Sequence, residues 1–370
     1  MERVDVTIIG AGAVGLACAY ALKDSGMDVL VVERHATFGE ETSSRNSEVI
    51  HSGIYYPRGS LKATTCIRGK ELLYDLAAKA GIGHKRLGKI LVANNDLEEE
   101  KLKTIYDNAR DCGVTDLRYL EAGELKKIEP DIRARVSLYC PGTGIIDTHG
   151  FMKHMFAVSR SKGVEFAYSV EVDGIRKKRG LYEIGVREPG GEKYSFESEA
   201  VINCAGLSSD RIAGMAGIDT AGAGYRIHMC KGQYFRISKP GKFRIIHLVY
   251  PPPTDISLGI HITPDMGEGL RLGPDAEYVS ETDYAVSEND RGKFFESVRT
   301  LLPSLSEDDL MPDTAGIRPK LHGKEAKFAD FIIREESDRG LPRLVNTVGI
   351  ESPGLTASLA IGEMVSGMIK

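Results

Sequence analysis

Residues 4–34 decide the fold of this chain, and they read VDVTIIGAGAVGLACAYALKDSGMDVLVVER. The apolar, β-branched run at 4–9 predicts a buried strand, and the run at 29–32 predicts a second one. Between them, the helical spacing of apolar residues at 16–25 predicts a helix that Gly26 is placed to end. The stretch therefore predicts a βαβ unit with the pattern G-x-G-x-x-G at its first turn.

The glycines of this turn are spaced to accept a pyrophosphate group. Gly10 permits the tight turn, Gly12 lets the backbone approach the phosphates, and Gly15 lets helix and strand pack closely. The N-terminus of the helix presents free N–H groups and a partial positive charge to the same phosphates. The other residues of the motif, which we expect at the same group, are Ala11, Ala13 and Val14.

An acidic residue closes the second predicted strand. The carboxylate of Glu33 could accept hydrogen bonds from both hydroxyls of a ribose, and it would repel a 2′-phosphate. We therefore expect a dinucleotide without that phosphate, contacted also by Arg34, which follows directly. The motif alone leaves open whether the dinucleotide is NAD or FAD.

The composition excludes several other classes of protein. Over 370 residues, 48 Lys+Arg against 53 Asp+Glu give a net charge of −5, so we expect no nucleic-acid partner. None of the 6 cysteines stands in a C-x-x-C pair, which argues against zinc and thioredoxin-type sites and fits a reduced cytoplasm. Residues 6–22 are uncharged, but they hold three glycines and follow no basic segment. We therefore expect no metal, no secretion signal and no spanning segment.

Polar side chains crowd together directly after the expected ribose position, where residues 42–53 read TSSRNSEVIHSG. Their hydroxyl, amide and guanidinium groups could wrap a long, extended cofactor with hydrogen bonds. An ordinary polar loop leading into a helix at 60–78 explains the stretch equally well. The residues expected at the cofactor here are Thr42, Ser43, Ser44, Arg45, Asn46, Ser47 and His51.

Two later segments favour the long cofactor. Residues 200–206 predict a short buried strand that ends in Ala205 and Gly206, over which a cofactor could pass. Residues 346–356 predict a strand and a Gly/Pro turn before a final helix at 357–369. The N-terminus of that helix could stabilise the negative charge of a reduced flavin, although a helix that only packs would show the same pattern. The residues expected at the cofactor from this turn are Gly349, Pro353, Gly354, Leu355 and Thr356.

These blocks together resemble the FAD-dependent oxidoreductases of the D-amino acid oxidase superfamily, and within it the L-2-hydroxyglutarate dehydrogenase/oxidase family. The most telling stretch is RNSEVIHSGIYYPRGSLKATTCIRG, at 45–69. Further blocks in the same order are KGQYFRI (231–237), HLVYPPP (247–253), LGIHITP (258–264), RLGPDAE (271–277), AGIRPKL (315–321) and GIESPGLTASLAIG (349–362). The turn at 265–270 departs from the family, which leaves the exact substrate open.

The resemblance implies an α/β fold, α+β overall, with a Rossmann-like FAD-binding domain and a mixed-sheet substrate domain. We expect residues 1–85, 145–225 and 335–370 to form a discontinuous FAD-binding domain, and 86–144 and 226–334 to form the substrate-binding domain. Residues 171–175 should end a strand near the adenine, with the backbone of Val172 contacting it. In the substrate domain we predict strands at 233–238, 244–249, 257–263 and 270–273, and a return of 310–320 towards the flavin.

The resemblance also implies a reaction, the oxidation of a 2-hydroxy acid to a 2-oxo acid, with L-2-hydroxyglutarate as the best single substrate. A hydride passes to flavin N5, and a base takes the hydroxyl proton. His51 is the leading candidate for the base. Histidine titrates near neutrality, and this residue directly follows the cofactor segment. The alternative for His51 is packing or hydrogen bonding without proton transfer.

Three further residues are candidates for the substrate site. Strand alternation places His261 on the inner face of a substrate sheet, although a solvent-facing histidine fits the same pattern. Tyr250 could donate to a carboxylate or simply close its strand. Arg318 offers a planar, bidentate fork for a carboxylate, against the alternative of an exposed surface arginine. A dicarboxylate needs a second cation, for which the sequence does not rank Lys231, Lys320 and Arg271.

The expected partners are a small carboxylate substrate and an electron acceptor, which could be oxygen, a quinone or a carrier protein. We expect a cytoplasmic location, with peripheral membrane association left open. The main alternative is an amine or amino acid oxidase of the glycine/sarcosine type, or a glycerol-3-phosphate dehydrogenase-like enzyme, on the same scaffold. A module that binds NAD or flavin without turnover is a third interpretation.

Overall fold

The structure is a computed structural model that describes residues 2–253, 259–325 and 328–369. The helices of these ranges are α1 (Ala13–Leu22), α2 (Leu61–Ala80), α3 (Asp96–Asp111), α4 (Ala122–Ile128), α5 (Thr148–Ser161), α6 (Ser209–Met215), α7 (Arg291–Val298) and α8 (Gly354–Ile369). The first ten strands are β1 (Arg3–Ile9), β2 (Val29–Val32), β3 (Val49–Ile50), β4 (His84–Lys85), β5 (Lys89–Ala93), β6 (Arg118–Glu121), β7 (Val136–Cys140), β8 (Gly144–Ile146), β9 (Glu165–Ala167) and β10 (Glu171–Lys178). The remaining strands are β11 (Leu181–Arg187), β12 (Lys193–Asn203), β13 (His228–Ile237), β14 (Leu248–Tyr250), β15 (His261–Pro264), β16 (Leu270–Gly273), β17 (Glu277–Tyr278), β18 (Leu310–Lys320), β19 (Ile332–Glu336) and β20 (Leu341–Val348).

The first sheet contains the predicted βαβ unit. Within the described ranges it has eight strands in the order β10-β11-β12-β1-β2-β9, with β20 paired to β12 and β19 paired to β20. β1 runs parallel to both β2 and β12, so α1 crosses between two parallel neighbours. Val6, Ile8 and Val31 are fully buried in this sheet, as the apolar runs at 4–9 and 29–32 predict. The Rossmann-like fold class is therefore confirmed.

The second sheet is mixed and draws its strands from two separate parts of the chain. Its described strands number nine, in the order β17-β13-β16-β15-β14-β5-β7-β6, with β18 paired to β13 along most of its length. β5 joins the two contributions, because it pairs in parallel with β14 and antiparallel with β7. This sheet forms the second wall of the cavity described below.

Helix α8 packs against both α1 and α2 beside the first sheet. A Cβ atom on Gly362 of α8 would lie 2.5 Å from the carbonyl oxygen of Ala17 in α1, so only glycine allows this approach. A Cβ atom on Gly69 of α2 would meet the carbonyl oxygen of Thr356 at 2.3 Å. These contacts fix α8, the last helix in the chain, against the first one.

Three predicted strands differ from the observed ones. Residues 171–175 begin β10 instead of ending a strand, because β10 and β11 form an antiparallel pair at the edge of the first sheet. Only the end of the run at 244–249 is a strand, since Glu129 Oε1 accepts the backbone N–H groups of Ile246 (2.8 Å) and His247 (2.7 Å). The strand predicted at 257–263 begins at His261. Its residues 257 and 258 lie outside the described ranges, and Gly259 has φ +82°, which a strand does not adopt.

No helix of the described residues has the length and apolar character that crossing a membrane requires.

Candidate active site

One long cavity runs between the two sheets. It begins at the turn between β1 and α1, passes the segment that follows β2, and reaches the second sheet at Tyr250, His261 and Arg318. The predicted residues that line it are Gly10, Gly12, Ala13, Val14, Glu33, Arg34, Thr42, Ser43, Arg45, Asn46, Ser47, His51, Val172, Ala205, Gly206, Tyr250, His261, Arg318, Pro353, Gly354 and Leu355. Segments from both ends of the chain therefore meet in one site.

The glycine turn has the geometry of a pyrophosphate cradle. Gly10 has φ +102°, and a Cβ atom there would lie 2.5 Å from the carbonyl oxygen of Cys204. A Cβ atom on Gly12 would lie 2.9 Å from Ser43 Oγ and would fill the space above the start of α1. The N-terminus of α1 thus faces the cavity with backbone N–H groups, of which that of Ala13 is bound by Ser43 Oγ, and such an N-terminus suits a diphosphate.

Glu33 is held in place by the backbone around it. Its carboxylate accepts hydrogen bonds from the N–H of Ala11 (2.7 Å) and from the N–H of His35 (2.9 Å), and the residue is buried at the cavity wall. Beside it, Arg34 pairs with Glu41 and donates to Ser208 Oγ at 3.2 Å. These bonds present a fixed carboxylate where the ribose is expected.

The segment after Glu33 folds back on the turn and crosses to the second sheet. Ser43 Oγ accepts from the N–H of Ala13 (2.9 Å), and the side-chain amide of Asn46 donates to the carbonyl of Ser43 (2.6 Å). Thr42 Oγ1 donates to the carbonyl of Ile317 at 3.1 Å. Ser47 Oγ lies 2.8 Å from the hydroxyl of Tyr234. The segment is therefore part of the cavity wall and not a free polar loop.

Five of the residues predicted at the cofactor do not line the cavity, and each has a structural contact instead. Gly15 packs so closely on the turn that a Cβ atom would lie 1.9 Å from the Gly10 carbonyl oxygen. Ser44 Oγ donates a hydrogen bond to the Glu41 carbonyl of the same segment at 3.2 Å. Thr356 Oγ1 accepts from the N–H of His51 at 3.0 Å and donates to the carbonyl of Val49 at 3.1 Å. The other two are Ala11, whose N–H binds Glu33, and Gly349, where a Cβ atom would lie 2.3 Å from Leu321 Cγ.

His51 lies where the cofactor segment meets the second sheet. Its Nε2 is 3.4 Å from Ser352 Oγ, and its Nδ1 is buried without a hydrogen-bond partner among the described residues. Burial, and then the positive charge of Lys89, lower the pKa of His51 from 6.5 to about 3. The imidazole is therefore neutral at physiological pH, which is the form that accepts a proton.

Two aromatic groups form the wall opposite the turn. The rings of Tyr250 and His261 stack with centroids 3.5 Å apart and an interplanar angle of 11°. His261 is buried, so the interpretation as a solvent-facing histidine is wrong. The hydroxyls of Tyr250 and Tyr55 are buried without a hydrogen-bond partner in the described ranges. A buried hydroxyl without a partner is costly, and a polar ligand in the cavity would satisfy it.

The cations of the site form a cluster around one carboxylate. Lys62 Nζ lies 2.9 Å from Glu351 Oε1, and both side chains are buried. Burial raises the pKa of Glu351, but the charges of Lys62, Lys320 and Arg318 outweigh it and lower that pKa. Arg318 is half-buried and donates to the carbonyl of Asp275 at 2.8 Å, so the interpretation as an exposed surface arginine is wrong. Three positive charges therefore act on the Glu351 carboxylate at this wall.

The structure also ranks the second cations that the sequence left open. Lys320 lines the cavity. Lys231 instead pairs with Asp283 at 2.6 Å, and Arg271 pairs with Asp313 at 2.7 Å. Neither Lys231 nor Arg271 lines this cavity.

Sequence reasoning missed several residues of the site, namely Tyr55, Lys62, Lys89, Tyr234 and Glu351. Tyr55 and Lys62 lie within the stretch at 45–69 that carries the resemblance, but nothing in their local pattern indicated a cavity. Lys89 opens the run KILVA, and a charged residue at the start of an apolar run is typical of a strand end in solvent. Only the pairing of β5 between β14 and β7 buries it.

Comparison with known proteins gives consistent similarities along the whole chain. The sequence model of a family described as "FAD dependent oxidoreductase" matches residues 5–368. A protein of Arabidopsis thaliana named L-2-hydroxyglutarate dehydrogenase, mitochondrial, is 38% identical over 406 residues, which cover 99% of this chain and 83% of that protein. A protein of Escherichia coli K12 named L-2-hydroxyglutarate dehydrogenase is 28% identical, covering 99% of this chain and 93% of its own length.

Among solved structures, this chain is similar to the dithionite-reduced L-α-glycerophosphate oxidase from Mycoplasma pneumoniae with FAD bound. The TM-score is 0.89 at 27% identity, and the match covers 100% of this chain and 95% of the other.

Proposed function

We propose, from the premise that this chain belongs to the FAD-dependent oxidoreductase family, that it oxidises L-2-hydroxyglutarate to 2-oxoglutarate. Membership confirms the predictions of FAD as the cofactor and of an oxidoreductase as the activity, and it excludes a binding module built for NAD. The similarity to two proteins named L-2-hydroxyglutarate dehydrogenase supports this substrate over an amine.

One observation carries the proposal. The wall near His51 holds Arg318, Lys320 and Lys62, with Glu351 as the carboxylate that they surround. A dicarboxylate is the small substrate that best matches a wall built with three cations, because each carboxylate must be compensated when it leaves water. A neutral or cationic amine would bring no negative charge to these cations.

The cofactor and the side chains around it have different roles in the proposed reaction. FAD, when bound, supplies the acceptor for the hydride that leaves the substrate carbon. A ring nitrogen of the neutral His51 accepts the hydroxyl proton, and the backbone of the histidine is fixed by Thr356. The fork of Arg318 holds a carboxylate in two hydrogen bonds, and Lys320 adds charge beside it. Stacked against each other, Tyr250 and His261 close the site from water.

The cofactor-binding role of the cavity residues is proposed from their positions. The turn from Gly10 to Val14 would hold the diphosphate, Glu33 the ribose, and Val172 and Ala205 the adenine side. The remainder of the cofactor would be held by the segment from Pro353 to Leu355 and by Thr42, Ser43, Arg45, Asn46 and Ser47. The division into an FAD-binding domain (1–85, 145–225 and 335–370) and a substrate-binding domain (86–144 and 226–334) is likewise a proposal, supported by the strands that each sheet contains.

An anaerobic titration tests the function. Purified protein loaded with FAD is mixed with L-2-hydroxyglutarate, and its visible flavin absorbance is followed. We expect stoichiometric bleaching with formation of 2-oxoglutarate, and far slower bleaching by the D-enantiomer. Bleaching by glycine or sarcosine but not by L-2-hydroxyglutarate would instead assign an amine oxidase, and bleaching by glycerol 3-phosphate alone would assign a glycerophosphate-type enzyme.

The electron acceptor and the location complete the proposal. We propose a cytoplasmic enzyme whose acceptor is oxygen, a quinone or a carrier protein. Reoxidation of the bleached protein separates these acceptors, because air alone, a soluble quinone or a cell extract would each restore the absorbance at different rates.

A further inference from the structure

Lys89 is a buried cation that the proposed reaction does not yet use. It is the first residue of β5, pairs with Leu248 on one side and Cys140 on the other, and has 0% of its surface exposed. Its Nζ has no hydrogen-bond partner among the residues that the structure describes. An ammonium group in this condition has lost its hydration without gaining a carboxylate, which is strongly unfavourable.

Two tyrosines separate Lys89 from the cavity. Its Nζ lies 4.3 Å from the ring centroid of Tyr55 and 4.8 Å from that of Tyr250, and both residues line the cavity. Cation–π attraction to two ring faces replaces part of the lost hydration. It does not neutralise the charge, so the field of the ammonium reaches the groups in front of the rings.

A second buried lysine, Lys62, has its positive charge compensated by a carboxylate. Lys62 is also buried, but its Nζ lies 2.9 Å from the carboxylate of Glu351. The fold can therefore pair a buried lysine in this region and does not do so for Lys89. A charge that is kept at a cost to stability is expected to serve function.

We propose that Lys89 is a positioning residue whose ammonium, held behind Tyr55 and Tyr250, draws an anionic substrate to the His51 end of the cavity. The inference rests on the proposed function, because it requires a substrate that carries negative charge. The positive charge of Lys89 is the second cause, after burial, that lowers the pKa of His51. The titratable groups that face Lys89 are His51, Tyr55, Tyr250, Cys66 and Cys140.

Binding of 2-oxoglutarate to the oxidised, FAD-loaded protein tests this inference without turnover. We expect Lys89→Met to weaken binding by on the order of tenfold, and Lys89→Arg to restore most of it. The control is Leu91→Met, a volume-conserving change two residues along the same strand, which should bind as the wild type does. Equal affinity in wild type and Lys89→Met would overturn the proposal.

Thermal unfolding separates this role from a purely structural one. Removal of an uncompensated buried charge should leave the unfolding midpoint of Lys89→Met unchanged or raise it. A fall in the midpoint together with wild-type affinity would make Lys89 a packing residue.

The wild type alone provides a test that does not depend on the folding of a variant. Burial lowers the pKa of Lys89 to about 8. The affinity for 2-oxoglutarate should therefore fall as pH rises through about 8, and Lys89→Arg, which stays charged, should lack this fall. A flat affinity in the wild type contradicts the inference.

The failure of the inference is distinguishable from failure of the proposed function. The function fails when L-2-hydroxyglutarate does not bleach the wild type. The same variants are then compared with glycerol 3-phosphate as the anionic probe, and loss of affinity on Lys89→Met supports the role of Lys89, whereas unchanged affinity overturns it.

Discussion

The two ends of the cavity differ in how their polar groups are satisfied. At the glycine turn, the Glu33 carboxylate accepts two backbone N–H groups, and Ser43 Oγ accepts that of Ala13. At the other end, His51 Nδ1 and the Tyr250 hydroxyl are buried without a partner among the described residues. The first end is a rigid cradle complete in itself, whereas the second has polar atoms available to a ligand. We therefore expect that mutations at the first end change the affinity for the cofactor, and that mutations at the second end change the reactivity towards the substrate.

The largest effect on activity is expected at the rigid end, because a protein that does not retain FAD cannot oxidise the substrate at all. Gly12→Val places a Cβ atom 2.9 Å from Ser43 Oγ, in the space that a diphosphate must enter. We expect loss of FAD binding by on the order of 100-fold, or about 3 kcal/mol, and a colourless protein on purification. Equilibrium dialysis with FAD measures the affinity of the variant for the cofactor. The control is Gly241→Ala, where an added Cβ atom meets nothing within 4 Å and FAD should bind normally.

The next effect belongs to the other end. His51→Asn removes the expected base, so we expect flavin reduction by L-2-hydroxyglutarate to slow by on the order of 10²–10⁴-fold while FAD stays bound. Anaerobic stopped-flow absorbance measures the rate. A rate within threefold of wild type would show that another group takes the proton. The two ends of the cavity would then differ in what they bind but not in a catalytic role for His51.

Arg318 tests whether the second end recognises charge. Arg318→Met should weaken 2-oxoglutarate binding by roughly 30-fold, about 2 kcal/mol, because a hydrogen-bonded charge pair is lost. Lys231→Met is the matched control, since Lys231 is paired with Asp283 outside the cavity. Equal losses in both variants would mean that binding responds to net charge and not to the site.

The smallest effect is a pH dependence. The pKa of His51 falls from 6.5 to about 3, so between these values the unfolded chain binds a proton that the folded chain does not. Stability therefore decreases as pH falls through this window, and His51→Asn should lose less stability there than wild type. In the same window kcat/KM should show no acid limb at pH 6.5, which steady-state assays would detect.

The sequence predicted the first end of the cavity almost completely, because its information is local. The spacing from Gly10 to Gly15 and the acid at Glu33 fall within a single βαβ unit, whose strands the structure confirms. The helix begins at Ala13, earlier than predicted, directly after Gly12 as its N-cap residue, and it ends at Leu22, before the predicted end at Gly26.

The second end was predicted only in part, because it is assembled from distant segments. Tyr250 and His261 could be placed on strands, but their stacking depends on β14 and β15 being neighbours. The strand prediction at 244–249 failed because the buried carboxylate of Glu129, more than a hundred residues earlier, takes the backbone N–H groups there. The local sequence did not indicate that Lys89 is buried. A lysine at the start of an apolar run has the same sequence pattern in a buried strand and in a strand at an exposed edge.

The bond from the N–H of His51 to Thr356 Oγ1 joins residues 305 positions apart. A ribosome builds the chain from the first residue onward, so a nascent polypeptide already contains the glycine turn, the histidine and the arginine long before Thr356 is added. We therefore expect ribosome-stalled fragments that stop short of Thr356 to be redox-silent.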